Sequence, residues 1–179
     1  YNDDLSQYLA NPRAEIVGYL FDYSELASKE MRSSLLTAAI DLLKNAGRQL
    51  KMHEILCYAR LVATVNLPED ARKKMLALMQ PLVGSEVEMD PNAWDSYVLK
   101  PLQIAPSPDS LFFEQLRTVI DLNLDFEISR QHEDGSWAPN WSWGEAYPEA
   151  WPHAKRAWQG VLTVNTVKSL FAFGRVEQA

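Results

Sequence analysis

Cysteine is almost absent from the 179 residues: Cys57 stands alone, so no internal disulfide can form. A lone thiol argues against a disulfide-stabilised secreted domain and fits a reducing compartment, so a cytoplasmic protein is expected. Long apolar runs are missing as well. No stretch approaches the ~20 residues needed to span a bilayer, and Tyr1-Asn2-Asp3-Asp4 has neither the basic start nor the apolar centre of a signal peptide. Basic clusters are also lacking: 17 Lys and Arg face 24 Asp and Glu, for a formal charge of -7. Such a field repels a phosphate backbone, so nucleic acid is not an expected partner. No segment shows the alternating period of a strand, and no initiating Met is present, which leaves room for a segment before Tyr1.

What is present is a helical pattern with a hydrophobic fraction of 47%, enough for one continuous core over residues 1–179 without metals or disulfides. Asn11-Pro12 predicts a helix start, with Ile16, Val17, Tyr19, Leu20 and Tyr23 as the apolar residues that follow. A second helix is expected from Ser28 to Gly47, carrying Met31, Leu35, Leu36, Ala39, Leu42 and Leu43. A second pair runs from His53 to about Val65 and from Pro68-Glu69-Asp70 to Gly84, with carboxylates at the positive helix end.

From Ser85 to Pro108 four prolines interrupt any long helix, and only Trp94 to Leu99 reads as helical. Trp94, Tyr97, Val98, Leu102 and Ile104 are too apolar for a free linker, so this connection should lie against the core. Ser107-Pro108-Asp109 then opens a helix to about Arg130, and two more are expected, Pro152 to Gln159 and Thr163 to Phe173. The fold class is all-α, with antiparallel helical hairpins forming part of an α/α toroid or solenoid.

Between the last long helices lies Gln131-His132-Glu133-Asp134-Gly135-Ser136-Trp137, followed by an aromatic loop. This string resembles the QW repeat of squalene and oxidosqualene cyclases and of prenyltransferase β subunits; Gln131, Asp134, Gly135, Ser136 and Trp137 carry the match. The resemblance implies a turn joining two barrel helices, with the Gln amide tied to a helix end and stacked on the Trp ring. The wider pattern is similar to a bacterial and fungal branch that carries this repeat near its C-terminus: Trp141, Trp143, Trp151-Pro152, Trp158-Gln159-Gly160 and Phe173-Gly174-Arg175, with Asn11 to Ile16 as an earlier landmark.

The family's catalytic motifs do not accompany the repeat. The Asp-x-Asp-Asp acid of class II cyclases has no counterpart beyond Tyr1-Asn2-Asp3-Asp4, which lacks the first Asp. Asp121-Leu122-Asn123-Leu124-Asp125 offers two carboxylates where a magnesium-binding Asp-Asp-x-x-Asp has three. Cys57, His53, His132 and His153 lack the spacing of a zinc site, so no metal and no cofactor is expected.

Three readings follow. Trp137, Trp141, Trp143, Tyr147, Trp151 and Trp158 could line a groove for a hydrophobic, isoprenoid-like small molecule, or could pin the loop to the helix ends. The same rings could form a protein-binding or self-association surface, with a homodimer or a missing N-terminal segment covering an unclosed helical stack. Catalysis on an isoprenoid would draw on Asp121, Asp125, Asp134 and Glu145, within a stretch where seven acids from Asp121 to Glu149 face only Arg130.

Overall fold

The computed structural model describes residues 10–176, apart from the side chain of Arg48; Tyr1-Asn2-Asp3-Asp4 lie outside the described residues. Seven α-helices and three short 3-10 turns account for the described secondary structure, and the only β pairing among the described residues is an isolated bridge from Val87 to Leu99. The protein is all-α, and no helix is long and apolar enough to cross a membrane among the described residues. The backbone divides into two compact units, residues 1–86 and 87–179.

The first unit holds α1 (Arg13–Asp22), α2 (Lys29–Ala46), α3 (Met52–Ala63) and α4 (Glu69–Glu86). Helix α1 packs on α2 and α3, and α4 packs on both α2 and α3. Of the expected apolar residues Val17 is buried and Leu20 half-buried, but Ile16, Tyr19 and Tyr23 are exposed, and the inner face is completed by Ala14, Gly18 and Phe21. Small residues win that side because α3 passes close. A Cβ on Gly18 would come within 2.5 Å of Thr64 Oγ1 and 3.5 Å of Leu61 Cα. Asn11 does not cap α1 either; its amide oxygen accepts from Cys57 Sγ at 3.6 Å.

Helix α2 begins as its sequence suggests, with Ser28 Oγ accepting from Met31 N–H at 3.1 Å. Gly47 ends it at φ 49°, a conformation that suits glycine. Helix α4 runs past Gly84 to Glu86 and through Pro81. The proline costs little here because Pro81 and Ala77, whose carbonyl it leaves free, are both exposed, and water can take the lost bond.

The second unit opens with a loop closed on itself, in which Glu88 N–H donates to Leu99 O at 2.8 Å and the fully buried Trp94 indole donates to Glu88 O at 2.8 Å. Trp94 to Leu99 is therefore not a helix but a loop wrapped around one tryptophan. Helix α5 (Pro101–Ile104) follows, its Leu102 N–H held by the buried Asn123 side chain of α6 at 3.0 Å. Helix α6 spans Phe113–Ser129, starting later than Ser107-Pro108-Asp109 because Ser107 N–H and Oγ are taken up by Ser110 Oγ in a turn. The two expected C-terminal helices are one, α7 (Trp151–Ala172), which continues through Gly160.

Candidate functional site

The turn after α6 is assembled from its own polar groups. Asp134 Oδ1 accepts from Ser136 N–H at 3.0 Å and Ser136 Oγ at 2.7 Å, while Gly135 supplies φ 81°. These Ser136 hydroxyl and N–H bonds hold the Asp134 carboxyl below the usual carboxylate range. Gln131 Nε2 donates to Gly135 O at 3.2 Å, so its amide closes the turn itself. The reach to a helix end is made by Trp137, which is buried and whose indole N–H donates to Glu127 O at 2.7 Å. Its backbone N–H donates to Thr163 Oγ1 at 3.1 Å, tying the turn to α7.

Glu127 serves twice. Its carboxylate pairs with Lys100 at 2.6 Å, both side chains being largely shielded, and Lys100 also lies 5.0 Å from the centroid of Phe126.

The aromatic loop is pinned ring against ring. Trp141 meets Tyr97 at 5.5 Å and Trp158 at 5.6 Å, both edge-on; Trp143 lies 5.8 Å from Trp151 and 6.4 Å from Trp158. Asn140 Nδ2 adds bonds to Asp95 O at 3.0 Å and Ser96 O at 2.8 Å. Gly144 is close to the Trp151 ring: a Cβ there would lie 3.1 Å from Trp151 Cδ1. Trp143 and Tyr147 remain 49% and 64% exposed, so the loop turns two aromatic side chains outward.

Of the four candidate acids two are bonded to other groups and two stand in solvent. Asp125 pairs with Arg175, Asp134 belongs to its turn, and Asp121 and Glu145 are exposed. Among the described residues no group of three or more His, Cys, Asp and Glu side chains could hold a metal. Cys57, four residues from His53, is buried between Asn11 and Glu15; burial, with the Glu15 charge adding to it, pushes its thiol up to about 11.

An open hollow of about 410 Å³ lies beside the turn, lined by Asp134, Ser136, Arg156, Gln159, Gly160, Thr163 and Val164. None of the six candidate aromatic residues lines it. It shares Arg156, Gly160 and Val164 with a surface that the sequence reading missed, the outer face of α7. There Val161, Val164, Val167 and Phe171 are 41 to 67% exposed, accompanied by Arg156 and Lys168. Splitting the helix between Gln159 and Thr163 hid this stripe. The available signal was apolar residues on both sides of one helical wheel, Leu170 buried, Leu162 half-buried and the valines outward.

No family model, curated protein or solved structure matches the chain.

Proposed function

We propose that the protein is a helical interaction module whose contact surface lies on its second unit. The observation that carries this is the outer face of α7, where four large apolar side chains at helical spacing stand in solvent. Isolated exposed aliphatics are ordinary; a stripe along one helix is the form in which helices recognise one another. A partial helical array, as in the toroid suggested by the QW-like turn, would leave such a face open.

The test is a photo-reactive residue in place of Val164 in the full chain, irradiated in cell extract, with the same group at the exposed Ala77 as control. Adducts heavier than the chain at position 164 and not at 77 are expected. Their absence at 164 would discard the reading.

A second reading, an isoprenoid-like small molecule held by the aromatic segment, draws support from the outward rings of Trp143 and Tyr147. It predicts a lipid-sized adduct in a native mass spectrum, weakened by Trp143→Ala. An isoprenoid-transforming enzyme draws the least support, because Asp125 and Asp134 are each bonded elsewhere.

A further inference from the structure

Charge distinguishes α7 from the rest of its unit. Lys100, Arg117, Arg130 and Arg175 each pair with a carboxylate: Glu127, Glu114, Asp95 and Asp125. Lys155, Arg156 and Lys168, all on α7, form no ion pair with any described residue, and α7 itself contains no acidic residue. In a chain of formal charge -7, the exposed apolar stripe is thus flanked by free cations.

The complementary chemistry is found on the same chain. The loop from Trp143 to Glu149 exposes Trp143 and Tyr147 with the carboxylates of Glu145 and Glu149, neither of which is ion-paired with a described residue. Within one copy this loop leaves the outer face of α7 uncovered, because Trp141 and Trp143 pack on Trp158, on another side of the helix.

We infer that the partner on the outer face of α7 is a second copy of the chain, whose aromatic, acidic loop 143–149 docks there. The inference rests on the interaction-module reading. A twofold arrangement makes the contact twice, loop on α7 in both directions, which closes the assembly at a dimer. Glu145 and Glu149 then face Arg156 and Lys168, and Tyr147 enters the hollow beside Arg156 and Val164, an aromatic anchor in a pocket with charges at its rim. An assembly built this way weakens as salt screens the charges.

Sedimentation velocity on the full chain from ~1 to ~100 µM, where micromolar association becomes visible, tests it. A concentration-dependent dimer is expected. Arg156→Glu with Lys168→Glu in one variant, and Glu145→Lys with Glu149→Lys in another, should each weaken the dimer by roughly tenfold or more, since like charges then face each other. Mixing the two variants should restore a heterodimer, which misfolded variants would not do. A chain that stays monomeric throughout, or a dimer that neither variant disturbs, overturns the inference. Adducts to a different protein at position 164 in the cross-linking experiment would leave the interaction module standing without self-association.

Discussion

The guanidinium of Arg72, on the first turn of α4, donates from Nη2 to the main-chain oxygen of Thr64 at 2.8 Å, just beyond the end of α3. The same group reaches Val62 O, Val65 O at 3.2 Å and Leu67 O at 3.4 Å, so one side chain gathers a carbonyl from the last turn of α3 and three from the segment that follows it. A cation at that end also opposes the helix dipole. Replacing Arg72 with Ala should cost about 2 kcal/mol, within the range for hydrogen bonds to a charged donor. Arg72→Lys should recover less than half of it, because a single ammonium lacks the planar fork. Urea denaturation of the three proteins measures this; an Arg72→Lys protein as stable as wild type would refute the multi-carbonyl role.

Thr64 also limits how near α1 can come. An alanine methyl at position 18 would lie 2.5 Å from Thr64 Oγ1, a hydroxyl that donates to Arg60 O at 3.3 Å. Gly→Ala inside a helix ordinarily stabilises by ~1 kcal/mol. Here Gly18→Ala should instead destabilise by about 1 kcal/mol, because Thr64 must rotate or α1 must move outward. In the Thr64→Ala background the same change should become neutral or stabilising. Additive effects across that double-mutant cycle would show that the two residues do not meet.

Trp137 links the turn to the carbonyl end of α6 through its indole N–H. Trp137→Phe keeps most of the ring but removes the donor, leaving Glu127 O without that partner. A loss of about 1 to 2 kcal/mol is expected, while Trp137→Ala should lose about 3 to 5 kcal/mol through the vacated volume. Gln131→Ala, which affects only an exposed bond within the turn, should change stability by less than ~0.5 kcal/mol. A larger loss for Gln131 than for Trp137→Phe in thermal melts would reverse the assignment of roles.

These residues show what could be read in advance. Ser28 and Gly47 delimited α2 because a side-chain cap and a positive-φ glycine act locally, through bonds within a few residues. The Gln131-to-Trp137 turn was legible for the same reason, since Ser136 bonds to Asp134 and Gly135 to Gln131 and His132, all within the turn. The inner face of α1 was not. Which side of Ile16, Val17, Gly18 and Tyr19 turns inward depends on how near α3 passes, a tertiary distance that no local period encodes. Gly84 misled in the opposite way, since glycine ends a helix only where a positive φ is required; it lies within α4 and has none. The acid-rich stretch looked like an open field because Arg175 and Lys100, distant in sequence, neutralise Asp125 and Glu127.

Glu15 gives the first unit a pH dependence. Burial alone would raise its pKa, but the Tyr19 hydroxyl, the Arg60 guanidinium at 2.6 Å and the Cys57 thiol together hold it below the usual value. A carboxyl with a depressed folded-state pKa contributes stability that is fully present above its unfolded pKa of ~4.3 and is lost as pH falls through the folded value. Glu15→Gln should therefore be less stable than wild type at pH 7, with the gap narrowing once pH drops below ~4. Denaturant midpoints across that range check it, and a gap that widens in acid would mean the sign is wrong.

Gly160 links stability to the proposed contact. It lies in the middle of α7 on the outer face, and a Cβ there would meet nothing within 4 Å. In a lone copy Gly160→Ala should therefore stabilise by ~0.5 to 1 kcal/mol, the ordinary helix-propensity gain, and raise the melting temperature by a few degrees. In the dimer the added methyl would enter the surface onto which the second copy's loop packs. Self-association should therefore weaken even as the monomer gains stability. Calorimetry at dilution paired with sedimentation at high concentration separates the effects. A methyl that stabilises the monomer and leaves association unchanged would remove the middle of α7 from the contact.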